Sequence, residues 1–195
     1  MQSAEELIFH VRGCSLNKRE SQKAIFSSFY GYAMSICLRY ANKQEDATEI
    51  VNDGFLKVFR EIHRFMPAYS DVVSSFKGWL RKIMICTSID HIRKFHQYEE
   101  ATSLEENFAE LSDNEMDALD KISYDEIMKA IRSLSPAYRT ILNLYIVEGF
   151  THQQIADILK ISVGTSKSNL SKARVQLKKI LFNSYQIIFA KYETR

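Results

Sequence analysis

The stretch 151–178, THQQIADILKISVGTSKSNLSKARVQLK, has the spacing of two short helices crossing at a tight turn. Thr151 can cap the first helix, with Gln154 three positions on able to reach back in a capping box, and Ile155, Ala156 and Leu159 supply an inward face. The small Ala156 lets the two helices approach closely. Ile161 fills the turn, Ser162 is placed as a second cap, and Ser166, Leu170, Ala173 and Leu177 share one face of the second helix. The opposite face holds Thr165, Lys167, Ser168, Ser171, Lys172 and, near its edge, Arg174. Such bases neutralise phosphates, and such short polar groups reach base edges in a major groove. The pattern is that of a helix-turn-helix and makes DNA the first partner to test. A helical hairpin with a solvated lysine face is the plainer alternative, but cap, small residue, turn and basic face agree in register. Lys160 stands where this turn commonly has Gly, so a left-handed backbone there would carry about 1 kcal/mol of strain.

Outward from this stretch, the 195 residues are 46% hydrophobic, enough for real cores in one large or two small domains. Six Gly and two Pro punctuate the chain, and apolar residues recur at helical rather than alternating spacing, which predicts an all-α protein. No charge-free apolar run approaches the ~20 residues that span a bilayer, and MQSAEELIFHVRG has acids where a signal peptide needs bases. A cytoplasmic protein is expected. Cys14, Cys37 and Cys86 are odd in number and widely spaced, which suits reduced thiols. Cys86, His91 and His96 share a segment, but spacings of five put no pair on one helical face, so no metal site is expected.

The formal charge of +2 conceals a division. Residues 97–120, QYEEATSLEENFAELSDNEMDALD, hold nine acids and no Lys or Arg, leaving 26 bases against 15 acids elsewhere. The stretch lacks a steady helical stripe and reads as an acidic linker, 97–121, joining two basic lobes. Its charge can keep it soluble, mimic DNA, or hold the basic lobes until a competitor displaces it.

The N-terminal lobe, 18–96, has its own pattern. Residues 20–42 form an amphipathic helix with Ile25, Phe26, Phe29, Ala33, Ile36, Cys37 and Tyr40 inward. A second helix, 46–65, turns Ala47, Ile50, Val51, Phe55, Val58, Phe59 and Ile62 inward and lines an exposed edge with Asp46, Glu49, Asn52 and Asp53. A turn-prone connection, 66–75, leads to a third helix that mixes Phe76, Trp79 and Phe95 with Arg81, Lys82, Arg93 and Lys94. Rings interleaved with bases suit single-stranded or melted nucleic acid, although Trp79 equally suits a core anchor.

Three runs in order carry a family resemblance over roughly 20–181: DATEIVNDGF at 46–55, FKGWL at 76–80, and LSPAYRTILNLYIVEGFTHQQIADILKISVGTSKSNLSKAR at 134–174. Separated by an acidic stretch, they resemble a bacterial RNA polymerase sigma factor of the small, extracytoplasmic-function type. The resemblance implies two small helical domains, a region 2 helical bundle at 18–96 and a region 4 helix-turn-helix at 122–182, followed by a short extension at 183–195. In such proteins region 2 binds the clamp helices of the polymerase β′ subunit and opens the promoter minus 10 element. Region 4 reads the minus 35 element and contacts the β flap.

By position, Asp46, Glu49, Asn52 and Asp53 correspond to the polymerase-binding surface. The 66–75 segment corresponds to the one that takes up a flipped base. Trp79, Arg81, Lys82, Arg93 and Lys94 correspond to minus 10 and melting contacts. Thr165, Lys167, Ser168, Ser171, Lys172 and Arg174 correspond to minus 35 contacts, the face that helical spacing selects independently. The chain departs from the family at Cys86, often Asn, at Asn52 and Gly54, usually Gln and a bulkier residue, and at Asn169, commonly Arg. The implied partners are core RNA polymerase and promoter DNA, with an anti-sigma factor, which many members have, as a further candidate. There is no Gly-rich phosphate loop, HExxH pair or nucleophile elbow, and the five His are scattered, so no catalytic residue, cofactor or small-molecule substrate is expected. The rival reading is a helix-turn-helix transcriptional regulator that binds operators without replacing a polymerase subunit.

Overall fold

A computed structural model describes residues 3–68, 70–99 and 124–193, and the described residues are helical without strands. They fall into two compact units, one within 1–100 and one within 101–195. Most of the acidic stretch, 100–121, lies outside the described residues. No described helix is long and apolar enough to cross a membrane.

Unit 1 is built from α1 (Ala4–Ser15), α2 (Arg19–Cys37), α3 (Gln44–Glu61), a 3₁₀ turn (Ile62–Arg64) and α4 (Val72–Glu99). The inward stripes predicted from spacing form its core. Ile25, Phe29, Ala33, Ile36 and Cys37 of α2 meet Ala47, Ile50, Val51, Phe55 and Val58 of α3, all buried, and Phe76, Leu80, Met84 and Ile89 of α4 close over them. The helix expected to reach residue 42 stops at Cys37, because the chain must turn back into α3. Tyr40 and Ala41 are held by N–H bonds to the Cys37 carbonyl, both 3.0 Å, and stay buried. Likewise α3 tightens into 3₁₀ geometry at Ile62, so that Phe65 leaves in an extended conformation and its ring reaches Phe76 at 5.2 Å and Trp79 at 5.5 Å.

Two features lay outside the expected lobe pattern. A first helix, α1, begins upstream of residue 18, and it packs on α2 and the 3₁₀ turn through fully buried Leu7 and Cys14. The departure at Gly54 also has a packing reason: a Cβ there would run into the thioether of fully buried Met84, so glycine lets α3 lie close to α4. The buried hydroxyls of α4 bond their own helix, Thr87 to the Ile83 carbonyl at 2.9 Å and Ser88 to that of Met84 at 2.8 Å, and the Ser88 hydroxyl also meets the Cys37 thiol of α2.

Asp71 caps α4. Its carboxylate accepts from the N–H of Val73 (2.9 Å), the N–H of Ser74 (3.1 Å) and the Ser74 hydroxyl (2.6 Å). The Ser74 hydroxyl foremost, then the two N–H groups and nearby Lys77, hold this carboxyl below the usual Asp range. A lowered folded-state value means that the cap's contribution is complete above the ordinary carboxylate range and fades as pH falls through the lowered value. Thermal melts followed by helical dichroism are therefore expected to show Asp71→Ala melting below wild type at neutral pH, with the gap closing on acidification. A gap independent of pH would assign the effect to something other than the carboxylate.

Unit 2 comprises α5 (Tyr124–Ser133), α6 (Pro136–Leu142) running into a π-helical segment (Asn143–Val147), α7 (His152–Leu159) and α8 (Val163–Glu193). Ser135 caps α6 with Pro136 in its first turn. Arg139 is 2% exposed, and its Nη1 donates to the Arg132 carbonyl near the end of α5 at 2.8 Å, tying the two helices together. Burial pulls its guanidinium below the ordinary Arg value. Gly149, at φ +73°, makes the left-handed turn between the π-helical segment and Thr151 that most side chains resist. Backbone of α8 continues through the extension to Glu193.

Candidate nucleic-acid interface and docking edge

The α7–α8 corner has the geometry that its spacing predicts. Thr151 and Gln154 form a reciprocal capping box, Oγ1 accepting the Gln154 N–H at 3.2 Å and Oε1 accepting the Thr151 N–H at 2.9 Å. Ile155 and Ala156 are buried against α8. At the turn, Lys160 lies at φ 56°, ψ 43°, in the left-handed region, and the Ile161 N–H bonds the Ala156 carbonyl at 3.1 Å to close the helix end. Lys160→Gly removes the Cβ conflict and is expected to stabilise unit 2 by about 1 kcal/mol. A melting temperature at or below wild type would show that the turn is not strained.

Ser162 caps α8, accepting the Thr165 N–H at 2.9 Å, with its Oγ also 2.8 Å from the Thr165 hydroxyl. Beyond the cap, Ser166, Leu170 and Ala173 are buried, whereas Thr165, Lys167, Ser168, Ser171, Lys172 and Arg174 are all exposed. The structure thus gathers the six residues on one solvent-facing side of α8. Two residues the sequence reading did not single out lie behind its edge. The Tyr145 ring, from the π-helical segment, stacks on His152 of α7 at 4.6 Å and 26°, and Arg174 sits over the same tyrosine at 5.8 Å. Nothing in the local spacing signals this, because it joins three elements.

In unit 1, Glu49 and Asn52 are exposed along α3, and Asp46 and Asp53 are half-buried. Asp46 is committed to its own helix, its Oδ2 accepting the Lys43 N–H at 3.2 Å, and Glu49 Oε2 lies 3.8 Å from His91 Nε2. Asp53 lines an open depression of about 490 Å³ between α3 and α4, with Leu56, Lys57, Arg60, Asp90, His91, Arg93 and Lys94 around it. Lys57 bonds Asp90 at 2.9 Å, and Arg93 approaches the same carboxylate at 3.7 Å. Exposed pairs of this kind are each worth about 0–1 kcal/mol, so they shape the surface more than they stabilise it. The resemblance implies different partners for Asp53 and the Arg93–Lys94 pair, and the structure brings them to one concavity. Arg81 and Lys82 lie about three turns earlier on α4. Leu56, whose position follows no inward stripe, stands 68% exposed at the rim.

Trp79 is half-buried, its ring 5.5 Å from Phe65 and 5.7 Å from Phe76, so it anchors the start of α4. Arg81 is half-buried and Lys82 exposed. All three cysteines are free thiols. Burial raises Cys14 to about 11, and it raises Cys37 to about 12 against the opposing Ser88 hydroxyl and Arg39 charge, whereas Cys86 is exposed on α4.

Comparison with known proteins follows the same division. The Sigma-70 region 2 model matches residues 25–97, and the Sigma-70, region 4 model matches 124–177. The extracytoplasmic-function (ECF) RNA polymerase sigma factor SigE of Mycolicibacterium smegmatis is 24% identical over 151 residues, covering 75% of this chain and 56% of that protein. The RNA polymerase sigma factor SigV of Bacillus subtilis is 25% identical over 181 residues, covering 84% and 98%. Among solved structures, the sigma factor RpoE in complex with the anti-sigma factor NepR from Bartonella quintana matches with TM-score 0.48 at 21% identity, over 82% of this chain and 95% of that one.

Proposed function

Since this chain belongs to the sigma-70 family, as a sigma factor of the extracytoplasmic-function type, we propose that it joins core RNA polymerase and directs it to promoters through separate minus 10 and minus 35 contacts. The observation that carries the reading is the face of α8. Six residues chosen by helical spacing stand exposed together, on a helix whose cap, turn and buried side are all formed.

In this reading residues 122–182 place α8 in the major groove of the minus 35 duplex. Lys167, Lys172 and Arg174 meet phosphates or guanine edges there, and Thr165, Ser168 and Ser171 supply short polar contacts. Residues 18–96 dock on polymerase through Glu49, Asn52 and Asp53, whose charge suits Arg on the β′ clamp helices, with Asp46 holding the start of α3 in shape. Arg81, Lys82, Arg93 and Lys94 then track the opened strand, beside the Trp79 anchor, and the 66–75 segment receives an extruded base. Extrusion costs a few kcal/mol, so strand opening requires the polymerase contacts as well. Residues 97–121 connect the two activities, and the backbone of α8 runs on as far as Glu193. The chain contributes recognition in the cytoplasm and the polymerase does the chemistry. An anti-sigma factor would act by covering the α3 edge or the α8 face.

Run-off transcription from genomic fragments, with purified core polymerase and genome-wide mapping of start sites, tests the proposal. Discrete start sites that require both core and this chain are expected. Tight autonomous binding to duplex DNA without any core-dependent transcript would replace it with an operator-binding regulator.

A further inference from the structure

We infer that Tyr145 and His152 are positioning residues that hold the Arg174 guanidinium against the DNA backbone at the edge of the α8 face. The inference rests on the minus 35 reading above. Four groups form a pile with a fixed base. The Ser166 hydroxyl is fully buried between α7 and α8, and it lies 2.9 Å from His152 Nδ1, which sets the orientation of that ring. The imidazole stacks on Tyr145 at 4.6 Å with an interplanar angle of 26°. Arg174, exposed on α8, lies over the Tyr145 ring at 5.8 Å.

A guanidinium drawn over an aromatic face by cation–π attraction keeps the N–H donors on its outer side available to a phosphate. The ring also restricts a side chain that would otherwise sample many rotamers, so less freedom is lost when DNA binds. Lys167 and Ser171 precede Arg174 by seven and three residues along the same edge. The pile therefore sets the last member of a short row of groups facing the strand. Because the contact is to phosphate, it adds affinity without adding base preference.

The test uses holoenzyme assembled from core polymerase and the full chain, bound to a promoter fragment identified by the start-site mapping, over a range of salt concentrations. Tyr145→Leu is expected to weaken binding about tenfold and to lower the slope of log affinity against log salt by about 0.9, the signature of one lost phosphate contact. Arg174→Ala is expected to do the same, and the double variant to be no worse than either alone. Tyr145→Phe, which keeps the ring, is expected to restore the wild-type slope. Arg174→Lys keeps the charge at an exposed position but replaces the weakly hydrated fork with a strongly hydrated ammonium on a flexible stem, and is expected to make binding much less sensitive to Tyr145→Leu. If Tyr145→Leu lowers stability but leaves the salt slope unchanged and adds to Arg174→Ala, Tyr145 only packs unit 2 and the inference is overturned while the minus 35 reading stands. If wild-type holoenzyme uses no promoter at all, both fall.

Discussion

Changing Lys167 and Lys172 together to Ala is expected to reduce promoter-dependent transcription about a hundredfold while leaving the fold intact. Both residues are exposed on α8, and the structure gives them no packing role, so the cost to stability should stay within about 0.5 kcal/mol. Under the proposed function their worth is in the groove. A base contact there contributes roughly 1–3 kcal/mol of discrimination, and a phosphate contact weakens binding to every sequence alike. One of each amounts to about 3 kcal/mol, and every 1.4 kcal/mol is a factor of ten. The single variants separate the two roles. Whichever lysine reads a base will change which promoters are used, and whichever meets phosphate will lower all of them in proportion. Start-site mapping with each variant distinguishes these outcomes, and full activity of the double variant would remove both lysines from recognition.

The α8 surface was readable in advance because everything that builds it is local. The Thr151–Gln154 box, the Ser162 cap and the 166, 170, 173 stripe are set by neighbours three or four residues apart, and helical periodicity alone then decides which side faces water. Even the left-handed Lys160 could be anticipated, since a turn of this shape needs that conformation whatever residue occupies it. The inward stripes of α2 and α3 were legible for the same reason.

What the sequence did not reveal depends on contacts between distant elements. The α1 helix is short, and its burial rests on only a few side chains such as Leu7 and Cys14, too few to make a periodic signal. The Tyr145–His152–Arg174 pile joins the π-helical segment, α7 and α8, and each residue alone reads as an ordinary surface side chain. The concavity that unites Asp53 with Arg93 and Lys94 arises only when α3 lies close to α4, an approach that Gly54 permits. Reading each helix by itself divided that surface between two partners.

Reversing charge on the α3 edge, Glu49→Lys with Asp53→Lys, is expected to weaken association with core polymerase by about a hundredfold or more. Truncating one member of a buried, hydrogen-bonded charge pair costs roughly 2–5 kcal/mol, and like charges brought together across an interface add repulsion to that loss. Asp46 is left in place because its carboxylate caps α3, so replacing it would confuse docking with folding. The Asp53 change places a further base in a depression that already holds Lys57, Arg60, Arg93 and Lys94, and some local repulsion accompanies it. Two comparisons isolate the interface from that cost. Glu49→Lys alone lies on the exposed edge and should weaken association by itself. Glu20→Lys, exposed on α2 away from that edge, makes the same change in net charge and should leave association unaltered, which excludes a long-range field effect. Association is measured by competition of each variant with labelled wild type for a limiting amount of core, at moderate salt. Undiminished competition by the double reversal would mean that polymerase docks elsewhere on unit 1, with exposed Leu56 and the basic side of the depression the next surface to change.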